Sequence, residues 1–190
     1  SIPVLHYTHY IFFSLLSFES IFLISFIKSI YTAICCFMSY KFFSLFTDKY
    51  NSIIISFLFL FWPTHDSTVY WFLGQYLMLT ISFYLYSYYL IEKGNIKSGI
   101  FLAFFASFIS YGSTPVALSL AFLFLLKRRV RNSIYLVLPN IVYIIYYIFV
   151  SKVFSISPVS RIPDTIQLFS VVKNFIFQII SFFDSNFGLG

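Results

Sequence analysis

Charge is the scarcest feature of this chain. Only 9% of its 190 residues are Asp, Glu, Lys or Arg, where a soluble domain carries about 25%. Such a sequence cannot clothe a water-facing surface. Alternation of apolar and polar residues is missing too, and that excludes a transmembrane β-barrel. There is no basic stretch followed by a short apolar core and a small-residue cleavage site, so no signal peptide is expected. No Gly-rich phosphate loop, His-Glu-x-x-His or nucleophile elbow occurs. Those absences argue against a nucleotide-sugar or ATP site facing the cytoplasm. The only cysteines, Cys35 and Cys36, are neighbours in an apolar run. Side chains about 100° apart on a helix cannot form an ordinary disulfide, so both read as small packing residues.

What is present is apolar. Hydrophobic residues make up 60% of the chain, mean hydropathy is +0.90, and uncharged runs of 18 or more residues recur. These are the marks of helices that cross a bilayer. The expected fold is all-α: a polytopic transmembrane helix bundle with some short or broken helices, one domain over residues 1–190. The chain stops at Phe187-Gly188-Leu189-Gly190, in what reads as a continuing loop, and is expected to be a piece of a longer protein. The net charge of +6, from 12 basic and 6 acidic residues, is expected from basic turns facing the cytoplasm. No nucleic acid is expected as a partner, because no solvated basic face exists to release counterions.

Read in order, residues 1–18 are an interfacial or loop segment. His6 and His9 share a helical face but have no further ligands nearby, so no metal is expected. Residues 20–46 can form one long helix, with Lys41 near its end and Lys28 inside it. An ionisable group inside a span faces protein or a wet cavity, or snorkels to the headgroups; both readings of Lys28 stand. A turn over 47–51 leads to a short apolar helix that ends at Pro63. After a polar knot, residues 69–91 form a span, stopped by Gly94-Asn95.

Residues 98–126 carry no charge and number 29, about 43 Å as one helix against a bilayer core of about 30 Å. The sequence Tyr111-Gly112-Ser113-Thr114-Pro115 breaks that run. Two short helices meeting at a re-entrant or extracytoplasmic elbow return the chain to its starting side. Eight of the 12 basic residues then share one face: Lys41, Lys49, Lys93, Lys97, Lys127, Arg128, Arg129 and Arg131. One kinked span would split them, so the two-helix reading is preferred. Residues 133–150 make the next span, kinked at Pro139-Asn140. Helix 165–183 carries a polar stripe of Gln167, Ser170, Asn174, Gln178 and Ser181.

On this topology the chemistry gathers outside. The knot Phe61-Trp62-Pro63-Thr64-His65-Asp66-Ser67-Thr68-Val69-Tyr70-Trp71-Phe72-Leu73-Gly74-Gln75 holds a histidine, a carboxylate, two tryptophans and a carboxamide. His65 and Asp66 are the candidate catalytic residues, as an acid/base or orienting pair; Asp66 also suits a helix cap. Trp71 offers a flat face to a sugar, though interfacial tryptophan is also an ordinary belt residue. Gln75, Tyr111 and Arg161 complete the candidate substrate-binding set, with Arg161 suited to a phosphate or to pairing with Asp164.

The pattern Pro63-x-His65-x-x-x-Val69-x-Trp71-x-x-Gly74 follows a short apolar helix and opens a long one. It resembles the GT-C type multi-spanning glycosyltransferases, nearest to bacterial relatives of the transmembrane O-mannosyltransferases with tetratricopeptide repeats. The 110–115 elbow and the basic cluster after it sit where that family has a comparable break and turn. The resemblance covers roughly residues 20–132. It implies a polyprenyl-phosphate sugar donor, a glycan, lipid or protein acceptor, no cofactor, and a multi-pass protein of the bacterial inner membrane working on its outer face. Two departures stand out: Asp66 is one place before the family's usual acidic position, and Gln75 replaces its arginine. The family's principal catalytic aspartate would precede Ser1. The competing expectations are a non-enzymatic glycan or lipid flippase and an O-antigen-polymerase-like enzyme.

Overall fold

A computed structural model describes residues 21–61, 75–109 and 113–153. These residues form six helices and no strand: α1 (Ile21–Phe43), α2 (Lys49–Phe61), α3 (Gln75–Glu92), α4 (Ile96–Ile109), α5 (Ser113–Leu126) and α6 (Val130–Val153). The all-α class holds. Residues up to Ile148 belong to one compact unit; a second begins at Phe149, and only the end of α6 is described in it.

The uncharged 98–126 run is two helices, as the charge pattern required. Helices α4 and α5 have 14 residues each, about 21 Å apiece. Pro115 falls in the first turn of α5, where a missing N–H costs nothing. Helix α6 starts at Val130, slightly earlier than the sequence suggested, so Arg131 rides exposed on its first turn. It continues through Pro139.

Local chemistry sets the helix ends. Asp48 caps α2: its Oδ2 accepts the Tyr50 N–H at 3.1 Å and the Asn51 N–H at 3.3 Å, which is the N-cap geometry. The Asn51 N–H, ahead of the other contacts, holds the Asp48 carboxyl below its usual range. Helix α3 ends in a Schellman motif. The Asn95 N–H reaches Leu90 O at 2.8 Å and the Gly94 N–H reaches Ile91 O at 3.1 Å, with Gly94 at φ +85°; glycine takes that conformation without steric cost.

Helix α5 ends the same way, with Arg129 N–H to Phe124 O at 2.9 Å and Arg128 N–H to Leu125 O at 2.8 Å. Here the left-handed position is Arg128, at φ 57°. A side chain there is strained by about 1–2 kcal/mol. Arg128 is exposed and neither ion pair to Glu92 uses it. Arg128→Gly should therefore stabilise the protein by about 1 kcal/mol, read as a higher midpoint of thermal unfolding in detergent.

Many large apolar side chains face outward, and small or polar ones are buried among the large core residues: Gly99, Ala103, Ala106 and Ser107 on α4, Ser113, Ala117 and Ala121 on α5, and Ser82 and Ser87 on α3. Gly99, Ala103 and Ser107 follow at intervals of four, the small-xxx-small spacing that lets two helix backbones approach closely. Into the shelf they make go the large α3 side chains Tyr84, Tyr88 and Ile91, each at most 2% exposed. The Tyr88 ring stacks on Phe124 at 4.1 Å and meets Phe42 edge-on at 5.4 Å, which ties α1, α3 and α5 together. Outward point Phe22, Phe57, Phe101, Phe122 and Ile145, all more than half exposed. Among the described residues one helix, Val130–Val150, is long and apolar enough to cross a membrane; Lys49–Phe61, Ile96–Ile109 and Ser113–Leu126 are shorter apolar helices.

Candidate functional site

The described helices have two chemically different ends. At the first, three turns converge. Lys127 Nζ lies 3.2 Å from Glu92 Oε1, and Arg129 Nη1 lies 2.9 Å from Glu92 Oε2. Lys127 Nζ also sits over the Phe46 and Tyr88 rings at 5.2 and 5.6 Å. These contacts bring the turns after α1, α3 and α5 to one place. The eight basic residues grouped by the sequence therefore do share an end. Desolvation pulls the Lys127 pKa down, but the Tyr88 hydroxyl and the Glu92 carboxylate beside it outweigh that and leave it raised. Lys127 stays a cation at neutral pH. Simple charge pairs of this kind hold turns together and offer no nucleophile.

At the opposite end attach the segments that hold the candidate residues read from the sequence. Cys35, Leu60 and Met78 pack together there, so the end of α2 and the start of α3 meet at one level. Helix α2 has 13 residues, about 20 Å, and the α4–α5 hairpin is of similar depth. Three short helices thus stop well short of a hydrocarbon core of about 30 Å. The knot leaves from Phe61 and returns at Gln75; the elbow leaves from Ile109 and returns at Ser113.

Beneath the elbow lies a buried polar network. The Tyr84 hydroxyl and Ser107 Oγ share a hydrogen bond of 2.6 Å. Ser107 Oγ also donates to Ala103 O at 2.8 Å, so Tyr84 is the donor of that pair. Asn140 Nδ2 donates to Ser113 Oγ at 2.9 Å, and Ser113 Oγ donates to Ser107 O at 3.5 Å. Tyr84, Ser107 and Ser113 are fully buried and Asn140 is 2% exposed. Four helices are joined: α3 through Tyr84, α4 through Ser107, α5 through Ser113 and α6 through Asn140. A buried network of this kind fixes one arrangement of the helices, because each broken bond leaves a polar group without water. It holds no ionised group at neutral pH and is a scaffold rather than an acid or base.

Of the residues singled out from sequence, Gln75 is the first residue of α3. His65, Asp66, Trp71, Tyr111 and Arg161 lie outside the described residues. Ser113, one of the polar elbow residues, is a network member. Tyr84 and Ser107 give no signal in the sequence; Asn140 gives one, a carboxamide in an uncharged span, which the sequence pairs with Pro139 as an expected kink. Among the described residues no three His, Cys, Asp or Glu side chains gather as a metal site. No family model matches the chain, no curated protein matches its sequence, and no solved structure matches its fold.

Proposed function

We propose that the chain is the polytopic membrane domain of a glycosyltransferase. It would transfer a sugar from a polyprenyl-phosphate donor to a glycan, lipid or protein acceptor, on the face opposite the basic turns. The observation that carries this reading is the two-ended bundle. Basic turns converge at one end. At the other, short helices stop below the expected membrane boundary, beside the segments that carry His65, Asp66, Tyr111 and Trp71. Irregular backbone at membrane depth is tolerated only where protein or a wet cavity satisfies it, and the start of α5 is held by the bond from Asn140 to Ser113.

The apolar exterior supports several spans rather than one. Exposed Phe22, Phe57, Phe101 and Phe122 come from four different helices, and a water-soluble protein rarely exposes so much apolar area. Positive-inside logic puts the basic end in the cytoplasm. The reactive end then faces outside, where free nucleotides are scarce and a lipid-linked donor is the available form of activated sugar.

In the proposed reaction an acceptor hydroxyl attacks the anomeric carbon. The bond from that carbon to the phosphate oxygen breaks, and the lipid phosphate leaves with the electron pair. His65 and Asp66 line the acceptor side, orienting the hydroxyl and taking up its proton in part; the GT-C resemblance assigns the principal base to an earlier outer loop. Arg161 is the candidate that the sequence offers for the phosphate. The test is sugar transfer from a radiolabelled polyprenyl-phosphate donor by the full-length protein in vesicles. Joint replacement of His65 and Asp66 by alanine should lower the rate by about 10²-fold or more, the scale of losing one acid/base group. Undiminished transfer by that variant, or no binding of the donor by the unaltered protein, would sink the assignment.

A further inference from the structure

Where α1 and α3 reach the basic end, rings and lysines from both helices form one ledge that the proposed reaction does not use. The Phe37 ring on α1 meets the Tyr86 ring on α3 at 6.0 Å and 60°. Tyr86 in turn stacks on Tyr89 at 5.7 Å and 10°. Lys41 Nζ lies 5.4 Å from the centre of the Phe37 ring and 5.7 Å from that of Tyr40. Lys93 Nζ lies 6.0 Å from the centre of the Tyr89 ring. The ledge is open to its surroundings: Phe37 and Lys93 are exposed, and Lys41, Tyr86 and Tyr89 are half-buried.

The direction of the lysines sets them apart from ordinary snorkelling residues. Both helices run toward the basic end, and helical side chains lean back toward the helix N-terminus. Lys41 is in the last turn of α1, and the Lys93 N–H still bonds Tyr89 O at 3.0 Å, so both keep that direction. Each ammonium lies over a ring four residues earlier, on the membrane side of its own Cα, where a snorkelling lysine would stretch away toward water.

No described side chain cancels these two charges. A ring attracts a cation through its quadrupole but carries no net charge. The described residues include two carboxylates, Asp48 and Glu92. Glu92 pairs with Lys127 and Arg129, and Asp48 caps α2. Two cations are therefore held at the level of apolar rings with no anion beside them among the described residues, which is costly in a membrane unless something pairs with them. The complementary molecule carries a negative charge at this level and a hydrocarbon tail that can cover the rings.

We propose that this ledge binds an anionic phospholipid of the leaflet at the basic end. Lys41 and Lys93 hold the phosphate, and an acyl chain lies across Phe37, Tyr86 and Tyr89. The inference rests on the membrane placement above but not on sugar transfer.

The full-length protein is inserted into vesicles of phosphatidylglycerol and neutral phosphatidylcholine in equal amounts. It is extracted in mild detergent, and its retained lipid is measured by native mass spectrometry. One basic residue near the membrane surface is worth about fivefold in binding an anionic lipid. Lys41→Gln and Lys93→Gln should each lower the ratio of retained phosphatidylglycerol to phosphatidylcholine by about that factor, and together by about 25-fold. Lys41→Arg should keep the ratio. Lys49→Gln, exposed at the same end on α2 but off the ledge, should leave it unchanged. Glycerophosphoglycerol, the same headgroup without chains, should not displace the retained lipid.

Equal retention of the two lipids by the unaltered protein, or an unchanged ratio in the double variant, would overturn the proposal. An equal loss in Lys49→Gln would overturn it too, because the attraction would then belong to the basic end at large. Displacement by glycerophosphoglycerol would assign the ledge to a soluble phosphodiester instead. A protein that does not enter vesicles would overturn the membrane placement and this proposal together. Lipid retention without sugar transfer would overturn only the transferase reading.

Discussion

Gly99→Leu should disrupt the α3–α4 interface and prevent the protein from reaching a stable fold, while Gly99→Ala should fold with a measurable loss. The reason is the space at Gly99. A Cβ there would stand 2.6 Å from Ile91 Cγ1, 3.3 Å from Ile91 Cδ1 and 3.1 Å from the Ser87 carbonyl oxygen. The first distance is inside any real carbon–carbon contact, so something must move. The Ser87 carbonyl is helix backbone and cannot yield alone. The same backbones are bonded at this point, since Ser87 Oγ donates to Gly99 O at 2.7 Å, and a shift that relieves the methyl stretches that bond. Overpacking of a close contact costs about 1–3 kcal/mol, and Gly99→Ala should fall in that range; leucine adds three more carbons to a site with no room for one. The readout is a thiol-reactive dye during heating in detergent, because Cys35 is buried between helices and reacts when they part. Ile91→Ala removes both side-chain atoms that meet the new methyl. In the Gly99→Ala background it should therefore cost less than in the unaltered protein, where it leaves a cavity. Equal costs in the two backgrounds would mean the clash is not with Ile91.

The sequence made some of this legible and hid the rest for physical reasons. Charge is sparse, so each basic residue restricts topology strongly; that is why the hairpin of α4 and α5 can be inferred from the break in the 98–126 run and the basic turns on either side of it. Helix stops are local, and Gly94-Asn95 and Pro115 could be read from their own neighbourhood. The contact partners could not. Asn140 and Ser113 are 27 positions apart, and Tyr84 and Ser107 are 23 apart; an uncharged run gives no register by which to pair them. The left-handed turn at Arg128 was invisible because arginine is not the residue expected there. Lys28 stands out in the sequence as an ionisable group inside a span, whereas the Phe57 and Phe61 rings across from it are brought there only by tertiary packing. The candidate site divides the same way: His65 and Asp66 stand out in the sequence, whereas the network of Tyr84, Ser107, Ser113 and Asn140 is purely tertiary.

Asn140→Leu should destabilise the bundle nearly as much as Gly99→Ala, and by a different mechanism. Leucine has similar bulk and keeps α6 helical, so packing is approximately conserved. What is lost is the donor to Ser113 Oγ, in a place where Asn140 and Ser113 are both sealed from water. Stranding a buried polar partner costs about 1–3 kcal/mol in soluble proteins. Between membrane helices the measured coupling of such pairs is smaller, about 0.6 kcal/mol on average and up to about 1.7, because an unfolded helix in lipid also finds partners. The two scales make separable predictions. Asn140→Leu alone should show the larger figure, since it includes the stranded hydroxyl. Adding Ser113→Ala removes that hydroxyl, so the double variant should be more stable than the sum of the single losses implies, by about 0.6–1.7 kcal/mol. Tyr84→Phe gives a second cut through the same network, because it frees Ser107 Oγ from its 2.6 Å partner without altering the ring in the core. Ser107 keeps its 2.8 Å bond to Ala103 O, much shorter than the 3.5 Å bond that Ser113 Oγ keeps to Ser107 O, so Tyr84→Phe should cost less than Asn140→Leu. Strict additivity of Asn140→Leu with Ser113→Ala would show that the four helices are held at this depth by shape alone.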